Sequence, residues 1–234
     1  MIPYQTPAGD LVMTRLAIVL TTAGLALAAP APKEPGRTYL DLQPVGTHKL
    51  ADDSPSGMAG NNLAEVPTGE REFAGVKFKV GEKYLQLGSP HFPTEKPDKV
   101  EGVKVGRPFA KLHILQATGY GSSPEGQPKH VPDDTVIATY KVRYDDGDTA
   151  TIPVVYGKDV RDYWFNDGSK GVSRGKVAWE GDCEAAKRLR CRVRLYLTTW
   201  ENPKPDLKIV SIDYAGRKDE TVAAPFCVAV SLEK

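Results

Sequence analysis

The side chains in this sequence best suited to holding a ligand are flat aromatic rings and guanidinium forks. Tyr163 is followed directly by Trp164, Trp179 lies in VAWEG, and Trp200 closes a run of alternating residues. Aromatic faces stack on the apolar faces of sugar rings and on cations. They also fill cores: packing is the readier account of Trp179 and Trp200, and it stands level with recognition for Tyr163-Trp164. Trp164 and Trp200 fall near expected strand ends, where a β-sandwich meets its loops. Lys187, Arg188, Arg190, Arg192 and Arg194 form a basic run. Arg192 and Arg194 share one strand face with Tyr196, and guanidinium groups pair well with carboxylate, sulfate or phosphate. Tyr163, Trp164 and Trp200 are therefore expected to be stacking platforms, with Arg192, Arg194 and Tyr196 as polar partners. The alternative for the basic run is a solvated sheet face balanced by acids elsewhere.

Other chemistries find less support. Asp133-Asp134, Asp145-Asp146-Asp148 and Asp159 with Asp162 group the hard oxygen ligands that Ca²⁺ takes. None has EF-hand spacing, and Asp145 to Asp148 reads more simply as a hairpin turn. The loops around Asp41, Asp52 and Asn61-Asn62 leave room for a structural Ca²⁺ ion that the sequence does not itself show. His48, His91, His113 and His130 are scattered without zinc-site spacing. No other metal and no cofactor is expected, and His113, inside a strand, reads as structural. No serine-nucleophile, phosphate-loop or dinucleotide motif stands in the setting its mechanism requires, and no carboxylate is singled out as one of a catalytic pair. The cysteines Cys183, Cys191 and Cys227 are odd in number. Cys183 with Cys191 would close a short loop around EAAKRLR and is the preferred disulfide. The alternative is that all three are buried thiols.

These residues must be positioned by strands. Cys191, Val193, Leu195 and Leu197 alternate with Arg192, Arg194, Tyr196 and Thr198. That period of two predicts a strand with one apolar face and one polar face, the latter open to water or a ligand. Asn202, Pro203 and Pro205 turn the chain, and Leu207, Ile209 and Ile212 begin a return strand, giving a hairpin. A second hairpin joins Val136–Tyr144 to Thr149–Tyr156 through Asp-Asp-Gly-Asp. Further strands are expected at Tyr39–Leu42, Tyr84–Leu87, Val100–Val105, Phe109–Ala117, 163–166, 175–180 and Phe226–Val230. Phe73 to Val80 reads as one strand with a bulge at Gly75. That makes about ten strands, with turns spaced as in a sandwich. The helix content is at most one or two short pieces, the candidate being Glu184–Arg190. Residues 43–69 and 118–134 are long loops, which are uncommon and often functional.

The 234 residues carry 31 Lys and Arg against 30 Asp and Glu. That balance leaves no global field to draw nucleic acid or an anionic membrane. Met13-Thr14-Arg15, the apolar run Leu16–Ala29 and its small-residue end LALAAPA have the pattern of a secretory signal peptide. The apolar run is too short to span a bilayer comfortably. Residues 1–30 are thus expected to be a cleaved leader; residues 1–12 are unlike the basic start of such a leader, and Met13 is the alternative translation start. Residues 31–37 form a Pro-rich linker and 38–234 one β-sandwich domain. The mature chain is expected to be exported, periplasmic or extracellular, with no membrane span.

The Leu40-Asp41-Leu42 strand, GEREFAGVKFKVG, VEGVKVGRPFAKLHILQATGYG, the DDGD hairpin, VAWEGD and LTTWENPKPDLKIVSIDY together resemble the galactose-binding-domain-like jelly-roll modules of secreted bacterial proteins. The resemblance spans roughly residues 38–234. It implies an all-β, two-sheet jelly-roll sandwich that binds a glycan or cell-surface polysaccharide at its loop ends, without catalysis and as a monomer. A protein-interaction or structural module of the envelope, or a polysaccharide hydrolase or lyase, are the alternatives, since fold alone does not assign function.

Overall fold

A computed structural model describes residues 37–122 and 131–234. The expected leader (1–30), the Pro-rich segment up to residue 36 and residues 123–130 of the second long loop, His130 among them, lie outside the described residues. Within the described residues there are fourteen strands, one short α-helix and a 3-10 turn at Gln43–Val45. The first half holds β1 (Arg37–Leu40), β2 (His48–Lys49), β3 (Gly69–Phe73), β4 (Val76–Val80), β5 (Lys83–Gln86), β6 (Lys99–Arg107) and β7 (Lys111–Gly119). The second holds β8 (Val136–Tyr144), β9 (Thr149–Val155), β10 (Trp164–Phe165) and β11 (Lys176–Gly181). Helix α1 (Glu184–Arg188), β12 (Arg192–Glu201), β13 (Ile209–Gly216) and β14 (Ala224–Glu233) follow. The protein is all-β, as its alternating runs indicated.

The larger sheet runs β10-β12-β7-β14-β5-β2, with β1 added on β14 and β11 on β12; the smaller runs β6-β13-β8-β9. Every strand pair in them is antiparallel. The two sheets share one apolar core. Tyr140 of β8 stacks on Tyr214 of β13 with centroids 4.4 Å apart. The Tyr140 hydroxyl then crosses to the larger sheet, donating to Gln116 Oε1 of β7 at 2.9 Å. Gln116 in turn donates to Thr198 Oγ1 of β12 at 3.0 Å. A buried polar side chain costs free energy unless it is paired, so this chain of bonds also fixes how the sheets register.

The β8–β9 hairpin forms where Asp-Asp-Gly-Asp placed it, with Gly147 at φ +90° and Lys141 opposite Thr151. Three expectations are corrected. First, residues 73–80 do not form one bulged strand. Ala74 and Gly75, at φ +50° and +84°, turn the chain so that β3 and β4 pair as a separate hairpin. Two consecutive positive φ values are the signature of a tight hairpin turn.

Second, β12 and β13 do not pair with each other: β12 lies between β7 and the β10 and β11 edge, β13 between β6 and β8. The Pro-rich connection carries the chain from one sheet to the other. Asn202 holds it at both ends. Its Nδ2 donates to the Phe109 carbonyl beside β7, and its Oδ1 accepts from Tyr144 Oη at the end of β8.

Third, the Arg/Tyr face of β12 is open to water only at Arg192. Tyr196 is completely buried and Arg194 is 6% exposed. The segment after β9 lies over that face. The Arg194 guanidinium sits over the rings of Phe165 (4.8 Å) and Tyr196 (5.2 Å). It also donates to the carbonyls of Asp162 and Lys170. Strand alternation reports that two faces differ but not what later packs on the polar one. Trp179 folds back along its own strand, its ring lying where a side chain on Gly181 would stand.

Candidate functional site

The site is built where three segments meet at one end of β7. The first is the segment entering β10. The Tyr163 amide donates to the Thr118 carbonyl, and the Arg194 amide donates to the Tyr163 carbonyl. Trp164 and Phe165 then pair with Val193 and Arg192 of β12. Tyr163 is thereby pushed inward, with its ring edge-on to Phe226 at 5.5 Å, while Trp164 and Phe165 stay half-buried.

The second segment is the long loop before β3. Its Asn61 is buried, and Oδ1 accepts from Tyr163 Oη at 2.6 Å and from Trp164 Nε1 at 3.2 Å. Cys183, which precedes α1, donates to the same oxygen at 3.8 Å. Asn61 Nδ2 donates to Ser56 Oγ at 3.2 Å. The polar ends of both aromatics are therefore spent inside the protein, which leaves ring surface as what they offer.

The third segment follows β7. Tyr120 adopts φ +53° and packs edge-on against His91 and Phe92, at 5.1 and 5.7 Å. Gly121 is required beside it, because a Cβ there would stand 2.4 Å from the Tyr156 ring.

Asp162 joins the first and third segments. One carboxylate oxygen accepts from the Gly121 and Ser122 amides at 2.7 and 3.2 Å, the other from the Trp164 amide at 2.9 Å. Burial pushes its pKa up to about 6. The three amides and the nearby Arg194 charge pull the other way without cancelling the desolvation.

Between these segments lies a cavity of about 670 Å³, within the range of small-molecule sites, about 300–1,000 Å³. Tyr84, Phe92, Tyr120, Tyr163, Trp164, Phe165 and Phe226 supply its rings. Asn62, Asn166, Ser122 and Ser169 bring amides and hydroxyls to it, and Met58 and Leu189 stand exposed at the lining, 41% and 58% accessible. Asp162 is the single carboxylate among the described lining residues, and no Lys, Arg or His is among them.

Of the six residues expected as stacking platforms or polar partners, the structure brings Tyr163 and Trp164 to this cavity and leaves the other four off its described lining. Arg192 is exposed and paired with Glu180 and Asp182. Arg194 and Tyr196 lie under the covering segment. Trp200 packs edge-on against Phe109 and pairs with Leu112. It is seven residues along β12 from Val193, the partner of Trp164, or roughly 23 Å at strand rise.

The expected Cys183–Cys191 disulfide is not formed; all three cysteines are free. The Cys183 thiol is turned to Asn61, whereas the Cys191 thiol turns to the Leu189 carbonyl and lines the cavity. Burial raises the Cys191 pKa.

The acidic clusters hold cations of the chain itself. Asp133 pairs with Arg161, Asp159 with Arg174, and Asp146 and Asp148 with Lys204. Among the described residues no group of three or more His, Cys, Asp or Glu is placed to hold a metal ion. His113 is buried within hydrogen-bonding distance of Thr199 and Glu233. No helix among the described residues is long and apolar enough to cross a membrane.

Of the cavity's lining residues, Phe92 and Tyr120 carried no expectation from the sequence, and Asn61 and Asp162 entered it only as candidate Ca²⁺ ligands. Their signals were present but weak: paired Asn in one long loop, and a Tyr between two glycines in the other. Comparison with known proteins finds no family profile, no curated protein and no solved structure that matches this chain.

Proposed function

We propose that this chain is an exported, non-catalytic binding module, a jelly-roll sandwich of galactose-binding-like type. Its cavity between the Asn61 loop, Tyr120 and the Tyr163–Phe165 segment takes a carbohydrate residue. The observation that carries the reading is the pairing of ring surface with short polar groups in one cavity. Trp164 presents a half-buried face, with Asn62, Asn166 and Ser122 close by. A pyranose has the matching pattern of an apolar face and a hydroxyl edge, and stacking with edge hydrogen bonds recognises both. The single carboxylate among the described lining residues favours binding over glycoside hydrolysis, which uses two carboxyl groups.

The test is titration of the full chain with neutral and acidic oligosaccharides, with and without Ca²⁺. Binding is expected to weaken roughly tenfold or more in Trp164→Ala and to persist in Trp164→Phe, which keeps a ring. Trp200→Ala, at the far end of β12, is expected to bind as wild type. Binding that survives Trp164→Ala, or that is lost in a folded Trp200→Ala, refutes this placement of the site.

A further inference from the structure

We propose that the cavity selects a ligand carrying a positively charged nitrogen, an ammonium group on a sugar or other compact body, with Asp162 as its counter-charge and the rings of Trp164, Tyr120 and Phe92 as its walls. The proposal rests on the reading of this cavity as the ligand site and adds the charge of what it holds.

The first support is the charge of the lining. Asp162 is the one formally charged side chain among the described lining residues. The chain as a whole carries cations and anions in near balance, 31 against 30. Among the 22 described lining residues there is thus no Lys, Arg or His, although such residues are not scarce in the chain. A neutral or anionic ligand gains nothing from that arrangement, whereas a cation meets no like charge among the described lining residues.

The second support is the acceptor capacity of Asp162. A carboxylate has about four acceptor positions, and three are occupied by the Gly121, Ser122 and Trp164 amides. Those three bonds hold the group rigidly and leave one position. Arg194 approaches from behind, with its Nε on the Asp162 carbonyl at 3.4 Å, and does not line the cavity.

The third support is the rings. Aromatic faces carry negative potential and attract ammonium groups. Phe165 is set apart from this role, because Arg192 and Arg194 already stack on it at 5.5 and 4.8 Å. Trp164, Tyr120 and Phe92 have no such partner among the cation–ring contacts of the described residues.

The test uses two matched pairs of probes, titrated into the full chain by calorimetry. One pair is choline and its uncharged isostere, in which a tert-butyl group replaces trimethylammonium. The other is a glucosamine oligomer and its N-acetylated counterpart. At least one cation is expected to bind roughly tenfold or more tightly than its neutral twin. Preference confined to choline points to simple alkylammonium ligands, and preference confined to the glucosamine oligomer points to amino sugars. The preference is expected to disappear in Asp162→Asn.

Should that variant fail to fold, a pH series on wild type decides. The charge of choline is constant, so its affinity is expected to fall as pH drops through about 6, where Asp162 takes up its proton. The other groups facing Asp162 are Arg194, Tyr120, Tyr156, Tyr163, Tyr196 and Cys191. His91 stands behind Tyr120, so the series is repeated in His91→Gln, where the fall is expected to remain. Equal affinity for charged and neutral twins, a flat pH profile, or a fall abolished by His91→Gln overturns the proposal. If neutral oligosaccharides still bind through Trp164, the carbohydrate reading survives that result; if no probe or sugar binds, both fail.

Discussion

Asn61 is the residue whose removal best tests how the site is held together. Its Oδ1 accepts from Tyr163, Trp164 and Cys183, and its Nδ2 reaches Ser56. Asn61→Ala leaves the Tyr163 hydroxyl without an acceptor in a position that is almost fully buried. It leaves the indole N–H of half-buried Trp164 in the same state. An orphaned buried donor costs about 1–3 kcal/mol and a partly solvated one less, so the variant is expected to lose roughly 2–4 kcal/mol.

Urea denaturation reads this directly. With a slope of about 2–3 kcal/mol per molar, the midpoint is expected to drop by roughly 1 M. Tyr163→Phe removes one of the donors and leaves the acceptor with others, so it should cost about 1 kcal/mol. Combining the two substitutions should cost less than their sum by about 1–2 kcal/mol, since a single bond is lost twice in the bookkeeping. Asn61→Ala within about 0.5 kcal/mol of wild type, or strictly additive behaviour with Tyr163→Phe, would show that the Asn61 loop is not fastened to the aromatics in this way.

Two further outcomes follow from single groups. Asp162 holds its proton up to about pH 6 when folded, against 3.8 for the free side chain. The folded state therefore binds more protons between those values, and stability is lost as pH rises through them, by roughly 3 kcal/mol at most. Stability curves of wild type and Asp162→Asn from pH 3 to 7 should diverge by that slope alone; parallel curves would place the carboxylate in solvent. For the thiols, mass spectrometry after alkylation of the native protein should show one slow adduct, at half-buried Cys191, and three adducts in denaturant. Resistance to alkylation in denaturant until a reductant is added would restore the Cys183–Cys191 disulfide.

The strand content was legible because its signal is local. Val136–Tyr144 alternates strictly and meets Asp-Asp-Gly-Asp, so the β8–β9 hairpin follows from neighbouring residues alone. The short helix between Cys183 and Cys191 is equally local. Tyr163 and Trp164 could be named as candidates because two adjacent aromatics at a strand start are visible in any window of the chain. Pairing partners are not local. The Pro-rich turn after Trp200 looks the same whether it closes a hairpin or crosses between sheets. Only the bonds from Asn202 to Phe109 and Tyr144 distinguish the two.

The amino-acid order by itself thus determined that this protein is all-β, roughly where its strands run, and that its longest loops deserved suspicion as binding segments. Tertiary structure alone decided which residues share a cavity. Asn61, Tyr120 and Trp164 are far apart in the chain, and no periodicity connects them. They meet because β10 docks on β12 at the end of β7, and because Asp162 and Asn61 use their hydrogen bonds to fasten two loops to that edge. The same packing took Arg194 and Tyr196 out of solvent. A polar side chain on an alternating strand is exposed only if nothing later covers it, and coverage depends on residues thirty positions away rather than on its own neighbours.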